Sequence, residues 1–279
     1  MSGAELSVID AAIQEHAPSH LFALFSGGHD SLASTHLVSQ HPAFRGVVHV
    51  NTGIGIEETR EFVRDTCRRQ GWPLLEYHPP EGLYERRCLR FGLPGGPVQH
   101  TATYHLLKGD QIKRAVREHK THRLDRIALV TGVRKQESAR RLRLHPVPIR
   151  REGARVWVNP TLEWSALDVS RYVDAQGLQR NPVVDKLHRS GECLCGALAD
   201  PKELGEIEFW YPEVGKRIRE LEHACFKRGL PYRWGRDASV PIDPAQPMLP
   251  LCQSCETRWD ESAMTRPLLA LLLAHGEKT

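Results

Sequence analysis

A run of small and hydroxyl-bearing residues near the start of the chain has a composition that suits the binding of an anion. Leu21–Phe25 is entirely apolar, and the six residues that follow it are Ser26, Gly27, Gly28, His29, Asp30 and Ser31. Adjacent glycines let backbone N–H groups approach an anion closely, and serines at the first turn of a helix add donors where the helix dipole favours negative charge. An ordinary glycine turn with a serine cap is the alternative, but the complete string after a buried strand favours a phosphate-binding loop.

Two side chains of this loop have chemistry of their own. Asp30 would repel a polyphosphate unless a divalent cation lay between them, so we interpret it as a Mg²⁺ contact. Ser31 and Asp30 would then both act on charge that develops on a departing phosphate group. His29 is either a ligand contact or an exposed loop residue, and the sequence favours neither.

Four of the seven cysteines form two close pairs. One residue separates Cys193 from Cys195, and the pair Cys252 and Cys255 begins 57 positions after Cys195. Paired thiols on irregular segments can converge on one metal centre, and the pairing favours this over four unrelated thiols. A zinc site competes with an iron–sulfur cluster, because CxxC favours neither metal and CxC is less usual for zinc ribbons.

Alternating strand and helix patterns must position these residues. Apolar runs predict buried parallel strands at Leu21–Phe25, Gly46–Val50, Pro73–Tyr77 and Arg126–Thr131. Helical periodicity is found at Ser31–Ser39, Glu57–Gln70 and roughly Tyr104–Lys120. The pattern predicts an α/β fold with a doubly wound parallel sheet. Ligands of such sheets bind beyond the carboxyl ends of the strands, so the loops at Ser26, Asn51 and Gly132 are expected to meet in one cleft.

The alternation stops after about Asn181. We therefore predict a nucleotide-binding α/β domain over residues 1–180. Residues 181–279 are predicted to form an irregular or helical region that bears the paired cysteines and binds the metal.

Composition excludes some classes of protein and suggests a class of partner. No run approaches the ~18 apolar residues of a membrane span, and the absence of a signal-peptide pattern at the start predicts a cytoplasmic protein with no membrane partner. The net charge is only +4, but residues 111–151 hold thirteen basic and three acidic residues, a local net charge of +10. This segment is either a solvated helical face or a basic wall for a polyphosphate or nucleic acid.

The glycine–serine string resembles the PP-loop of the ATP pyrophosphatases, and three later segments resemble the phosphoadenosine-phosphosulfate (PAPS) reductase family. The first contains Asn51, Thr52 and Gly53 after the second strand, where Asn51 replaces the family's Asp. The second begins at Gly132 and Arg134 and closes with Arg140 and Arg141. The third runs from Asn159 to Trp164 and continues to Asp168 and Val169. The segments occur in the family's order.

This resemblance implies an adenine nucleotide alpha hydrolase-like fold and a set of roles. The loop amides, Mg²⁺ and Arg134 or Arg140 would stabilise charge on departing pyrophosphate, while Thr52, Gly53 and the backbone near Val50 would hold the adenosine. Lys108 stands in a Leu-Lys pair that helps to hold substrate in the family, and we include it among the catalytic candidates. Because several family members hold a [4Fe–4S] cluster by paired cysteines, the resemblance favours iron–sulfur over zinc.

The reductases of this family attack sulfonate with a cysteine in a C-terminal Glu-Cys-Gly segment, and no cysteine follows Cys255 here. What remains resembles the Dnd- and Ssp-type branch, which implies ATP-dependent adenylation of a DNA phosphate, release of pyrophosphate and insertion of sulfur. That function needs DNA and a sulfur donor such as a cysteine desulfurase as partners. The alternatives are a nucleotide-sulfate reductase that uses a partner's thiol and a non-catalytic nucleotide-binding module.

Overall fold

The structure is a computed structural model that describes residues 3–137, 146–200 and 202–235. The described residues form two compact units. The first unit comprises the residues up to Arg86 together with Val98–Cys195. The second comprises Arg87–Pro97 and the described residues from Gly196 onward.

The described part of the first unit contains one six-stranded sheet. Its strands are β1 (His20–Leu24), β2 (Phe44–Val50), β3 (Leu74–Tyr77), β4 (Ile127–Val130), β5 (Ile149–Glu152) and β6 (Arg155–Val158). Their order across the sheet is β3-β2-β1-β4-β6-β5. All neighbouring pairs are parallel except β5 and β6, which form an antiparallel edge. Because β1 and β4 are central, the loops that follow them meet at the carboxyl edge of the sheet, where such folds bind ligands.

The described residues of the two units also form α-helices. They are α1 (Gly3–His16), α2 (His29–Ser39), α3 (Glu57–Gln70), α4 (Leu83–Phe91), α5 (Gly96–Tyr104), α6 (Asp110–Glu118), α7 (Ala166–Ala175), α8 (Pro182–Leu187), α9 (Glu203–Trp210) and α10 (Pro212–Phe226). A π-helical turn, His105–Gly109, joins α5 to α6, and a 3-10 turn spans Lys135–Glu137.

Alternate residues of the central strands bury opposite faces of the sheet. Leu21 and Ala23 of β1 belong to a buried cluster that includes Ile9 of α1 and Leu37 of α2. Phe22, between them, belongs to a second cluster with residues of α6 such as Ile112 and Val116. A sheet covered on both faces needs apolar side chains in both directions, which explains the uninterrupted apolar run of β1.

The predicted fold class is confirmed, since the sheet is mostly parallel and has helices on both faces. The four predicted strands are found with ends displaced by one or two residues, and α3 has the predicted bounds. The sequence reasoning missed α1, α4, α5, α7 and the β5–β6 hairpin. No helix in the described ranges is long and apolar enough to cross a membrane.

In the second unit, the glycine- and proline-rich stretch packs against the end of the described chain. The N–H of Leu93 donates to the carbonyl of Pro231 at 2.6 Å. A Cβ at Gly92 would lie 2.5 Å from the same carbonyl oxygen, so the approach requires glycine. Glu222 of α10 is buried, pairs with Arg219 at 2.9 Å and accepts the N–H of Trp234 at 2.8 Å.

Candidate active site

The predicted phosphate loop connects the end of β1 to the start of α2. Gly27 adopts a left-handed φ of +79°, and a Cβ there would lie 2.6 Å from Cγ2 of Thr59, so a side chain is excluded on both counts. The Ser31 hydroxyl donates to the Gly28 carbonyl at 2.8 Å and accepts the N–H of Ser26 at 3.3 Å. The loop is therefore closed on itself by Ser31 at the N-terminus of a helix, where an anion is favoured.

The loop after β4 contacts the first turn of α2. Oδ1 of Asp30 lies 2.9 Å from Nε of Arg134, whose residue is only 8% exposed. A Cβ at Gly132 would lie 2.5 Å from the carbonyl oxygen of Asp30 and 2.6 Å from the backbone nitrogen of Ser31. The structure thus brings together four predicted site residues from two strand ends, and the pairing of Asp30 with a buried arginine was not predicted.

A cavity of about 670 Å³ opens above this loop and is lined by residues of the first unit alone. Four of its lining side chains are cationic and one is anionic; these are Lys108, Arg134, Arg180, Arg189 and Asp30. Apolar side chains from the strand ends and α6 complete the wall, among them Leu24, Val48, Val50 and Ile112. A cavity with an excess of positive charge and an apolar wall suits an anion attached to a flat apolar group.

His29 lines the same cavity. Burial lowers the pKa of its imidazole, the nearby Arg180 guanidinium lowers it further, and Asp185 opposes the shift. The ring is therefore neutral near pH 7. Its Nε2 atom is buried and has no hydrogen-bond partner within the described part of the chain. A neutral ring with an unused nitrogen can donate to or accept from a ligand, according to its tautomer.

The segment after β2 lies outside the cavity lining. The Asn51 side chain donates to Oε1 of Glu76 at 3.0 Å, and its own oxygen accepts the N–H of Gly53 at 3.0 Å. Thr52 is buried, and its N–H donates to Oε1 of Glu192 at 2.8 Å. The groups named here form hydrogen bonds within the protein, and the contact of Asn51, Thr52 and Gly53 with adenosine stays a prediction.

Sequence reasoning missed the residues just before the first cysteine pair. Arg180, His188, Arg189 and Ser190 line the cavity. Asn181 is fully buried and donates through Nδ2 to the Gly27 carbonyl at 2.9 Å, while its oxygen caps α8 by accepting the N–H of Val183. An Asn-Pro pair is a typical start of a helix and can be recognised from the sequence. Nothing in the sequence indicates that Asn181 contacts a loop 154 positions earlier.

Cys193 and Cys195 also lie in the first unit. A hydrogen bond with the Cys195 side chain lowers the pKa of Cys193 to about 6; burial opposes this shift and the Lys108 ammonium adds to it. The Tyr84 hydroxyl donates to the Cys195 carbonyl at 2.9 Å. The described residues contain no group of three or more His, Cys, Asp or Glu side chains that could hold a metal. A metal on this pair would need further ligands from elsewhere, and Cys252, Cys255 and Arg140 lie outside the described residues.

The chain belongs to the phosphoadenosine phosphosulfate reductase domain family, whose profile matches residues 20–215. An adenosine 5'-phosphosulfate reductase of Burkholderia cepacia is 25% identical over 212 residues, covering 75% of this chain and 82% of the relative. A phosphoadenosine 5'-phosphosulfate reductase of Xanthomonas axonopodis pv. citri (strain 306) is 28% identical over 173 residues, or 61% and 68% of the two chains. The family predicted from the motifs is confirmed.

A solved structure of PAPS reductase from Candida auris, in a phosphate complex, has a TM-score of 0.49 to this chain. It is 20% identical, and the match covers 65% of this chain and 84% of that one.

Proposed function

We propose that this chain is an enzyme that binds ATP in the cavity above Ser26–Ser31, cleaves it between the α- and β-phosphates and uses the adenylate to incorporate sulfur into an acceptor. A nonbridging oxygen of the acceptor phosphate would attack the α-phosphorus, and pyrophosphate would leave. The outer sulfur of a persulfide from the sulfur donor would then attack the acceptor phosphorus, and AMP would depart with the oxygen. Two electrons from an external reductant would cleave the remaining S–S bond and leave the sulfur on the acceptor.

The charge of the cavity carries this proposal. Lys108, Arg134, Arg180 and Arg189 face a space that contains one carboxylate, Asp30, among its lining residues. Such an excess of cations in one cleft favours a multiply charged anion. The helix N-terminus at Ser31 and the loop amides add donors that stabilise charge as it develops on a leaving phosphate.

The carboxylate in this cationic cavity favours ATP with Mg²⁺ over a nucleotide bound without metal. The side chain of Asp30 is 28% exposed and pairs through Oδ1 with Arg134, which leaves the carboxylate accessible from the cavity. Mg²⁺ is bound by one or two carboxylates together with phosphate oxygens and water, which this environment can provide. Mg²⁺ held by Asp30 would neutralise charge on the phosphates.

The sulfur chemistry would depend on the cysteine pairs. We propose that Cys193, Cys195, Cys252 and Cys255 hold a [4Fe–4S] cluster, with zinc as the alternative metal. Two thiols close enough to share a hydrogen bond are suited to one metal centre, and a lowered pKa favours the thiolate that a metal requires. The cluster would supply a redox-active centre, and a cysteine desulfurase is the proposed sulfur donor.

DNA is the proposed acceptor, as in the Dnd- and Ssp-type branch. Part of the basic segment is neutralised within α6, where Lys113 pairs with Asp110 at 2.9 Å and Arg114 with Glu118 at 2.8 Å. DNA binding would therefore rely on the remaining basic residues of the segment, and its salt dependence would give their number.

A nucleotide-sulfate reductase is the second candidate, because the relatives quoted above carry the names of such reductases. Product analysis separates the two candidates. ATP, PAPS and adenosine 5'-phosphosulfate are each incubated with the anaerobically purified protein, and pyrophosphate, AMP and sulfite are measured. Pyrophosphate and AMP from ATP support the proposal. Sulfite from either sulfated nucleotide in the presence of a thiol, with no pyrophosphate from ATP, would replace it by the reductase.

A further inference from the structure

The segment that carries Arg189 and Ser190 continues into a buried glutamate. Glu192, which directly precedes Cys193, is only 1% exposed. Its Oε1 atom accepts the N–H of Thr52 at 2.8 Å, and its backbone carbonyl accepts the Thr52 hydroxyl. A buried carboxylate is costly unless it is paired and hydrogen-bonded, so this position must have a compensating role.

The second carboxylate oxygen faces two further side chains. Oε2 of Glu192 lies 3.5 Å from Nε2 of His49 and 3.9 Å from Nε of Arg60. The other ring nitrogen of His49 lies 2.8 Å from the carbonyl oxygen of Phe25. A carbonyl only accepts, so that nitrogen carries the hydrogen. Phe25 is the residue before the phosphate loop and lines the cavity. His49 thus lies between Glu192 and the residue before the nucleotide loop, but neither Oε2 of Glu192 nor Nε2 of His49 has a hydrogen-bond partner among the described residues. The hydrogen bonds of Glu192 that anchor the segment are those with Thr52.

Three successive residues of this segment are anchored. The carbonyl of Ser190 accepts the Thr59 hydroxyl, and the carbonyl of Gly191 accepts the N–H of Ile56 at 3.0 Å. A Cβ at Gly55 would lie within 2.4 Å of the Glu192 carbonyl oxygen, which shows how closely the two segments approach. The hydrogen bonds at Ser190 and Gly191 hold the end of the segment where Ser190 lines the cavity. The Glu192 contacts are the last of the three before Cys193.

We propose that Glu192 is a positioning residue that fixes Cys193 with respect to the nucleotide cavity. This inference deepens the proposed function and rests on it, since the spacing matters only if the nucleotide and the metal centre that Cys193 helps to hold take part in one reaction. Reactions between two held groups depend steeply on their separation, because a small misplacement removes the advantage of orientation. Glu192 would act through Thr52, without touching the substrate.

The test measures alkylation of each cysteine by iodoacetamide, peptide by peptide, with and without ATP and Mg²⁺. The protein is first freed of its metal with a chelator and desalted, because a thiolate that is bound to a metal is protected from alkylation. Glu192→Ala is expected to raise the alkylation rate of Cys193 about tenfold, because the segment opens locally when a charged hydrogen-bond acceptor is lost. The buried Cys67 serves as an internal reference. The Kd of ATP should stay within about threefold, since Ser190 and Gly191 keep their anchors.

Two further variants separate positioning from general destabilisation. Glu192→Gln keeps an oxygen for the N–H of Thr52 and offers an amide hydrogen to His49. The Glu192 charge itself raises the pKa of Cys193, so the rates are compared at a pH where the thiol is fully ionised, and there Glu192→Gln should alkylate like the wild type. Glu222→Ala removes a buried carboxylate that also accepts a distant backbone N–H, but in the second unit. It should lower the unfolding temperature without changing Cys193. If Glu192→Ala does not fold, Thr52→Val removes the hydroxyl donor to the Glu192 carbonyl and is expected to raise Cys193 alkylation.

The inference is overturned if Cys193 of Glu192→Ala reacts at the wild-type rate. If Glu192→Ala does not fold, the same result in Thr52→Val overturns it. It is also overturned if Glu222→Ala raises Cys193 alkylation equally, or if Glu192→Gln behaves like Glu192→Ala. Failure of the proposed function would look different: the wild type would not bind ATP, while the alkylation rates measured without nucleotide would still decide the role of Glu192.

Discussion

At the scale of single residues, Ser31 and Asp30 have structural contacts in addition to their proposed roles. Ser31 closes the loop through Gly28 and Ser26, and Asp30 pairs with Arg134. Loss of either group is expected to lower nucleotide turnover ~10²-fold, because both act where charge develops on pyrophosphate. Initial rates of pyrophosphate release from Ser31→Ala and Asp30→Asn check this.

Ser34→Ala is the matched control for that prediction. Ser34 is also a buried serine of α2, and its hydroxyl donates to the Ser31 carbonyl at 3.2 Å, one turn further from the cavity. It should retain turnover within about threefold. If Ser31→Ala and Asp30→Asn turn over ATP like Ser34→Ala, the loop is structural and the assignment of the active site is wrong.

Asn51 has a partner that explains why an amide suits this position. Its Nδ2 donates to Glu76, and Arg64 donates to the same carboxylate at 2.8 and 2.9 Å. The hydrogen bonds from Arg64 and Asn51 lower the pKa of Glu76 to about 2, against burial, which raises it. An aspartate at position 51 would place a second carboxylate beside Glu76 and lose the donor.

Asn51→Asp is therefore expected to lower the free energy of unfolding by on the order of 1 kcal/mol near pH 7. Because the pKa of Glu76 is lower in the folded protein, its contribution is complete above the unfolded value of about 4.5 and disappears as the pH falls toward about 2. The loss in Asn51→Asp should shrink over the same range as Glu76 becomes protonated. Denaturant titrations at several pH values measure it, and Glu76→Gln should abolish the difference. An unchanged loss in Glu76→Gln would contradict the explanation.

At the scale of elements, the sequence predicts the strands, helices and turns whose signals lie in neighbouring residues. Strands β1 and β4 are buried on both faces, so their apolar runs are almost unbroken, and β2 is apolar from Gly46 to Val50 except at the buried His49. The turn after β1 can be recognised from its glycines and serines. The β5–β6 hairpin was missed because its outer strand is mostly exposed, with Arg150, Arg151 and Glu152 in succession. The contact of Asn181 with Gly27 could not be predicted, because it depends on how α8 packs and no local pattern records it.

Substitution of Gly132 tests how closely the loop after β4 must approach the first turn of α2. The Cβ position of Gly132 is occupied by the backbone of Asp30 and Ser31, so Gly132→Ala must displace either the loop after β4 or the first turn of α2. We expect a cost of about 1–3 kcal/mol in unfolding free energy and at least a tenfold rise in the Kd of ATP, roughly 1.4 kcal/mol of binding energy.

Calorimetric titration with ATP and Mg²⁺ measures the binding, and thermal unfolding measures the stability. Gly95→Ala is the control, because the nearest atom to its added Cβ, the carbonyl oxygen of Gly235, lies 3.8 Å away. An alanine at position 132 that binds ATP with wild-type affinity would show that the first turn of α2 does not need this contact.

At the scale of the whole molecule, the proposed metal centre would tie together parts of the chain that are far apart in sequence. Cys193 and Cys195 lie in the described first unit, whereas Cys252 and Cys255 follow 57 and 60 positions after Cys195. A shared cluster releases most of its binding energy only when all of its ligands are present. Replacing any one of the four by serine is therefore expected to bleach the chromophore, remove most of the bound iron and make the C-terminal third more sensitive to proteolysis.

Cys67→Ser is the matched control, because Cys67 is a core thiol of α3 whose pKa burial raises to about 12, which makes it a poor ligand. It should lose some stability and keep its metal. The measurements are the absorption spectrum, the iron and zinc content, and limited proteolysis of anaerobically purified proteins. Stoichiometric zinc without iron would replace the cluster by a zinc site with the same ligands. Metal retained in Cys193→Ser or Cys252→Ser would refute a centre shared by the two pairs, because one pair would then bind the metal without the other. A wild-type protein that contains no metal would refute the centre altogether.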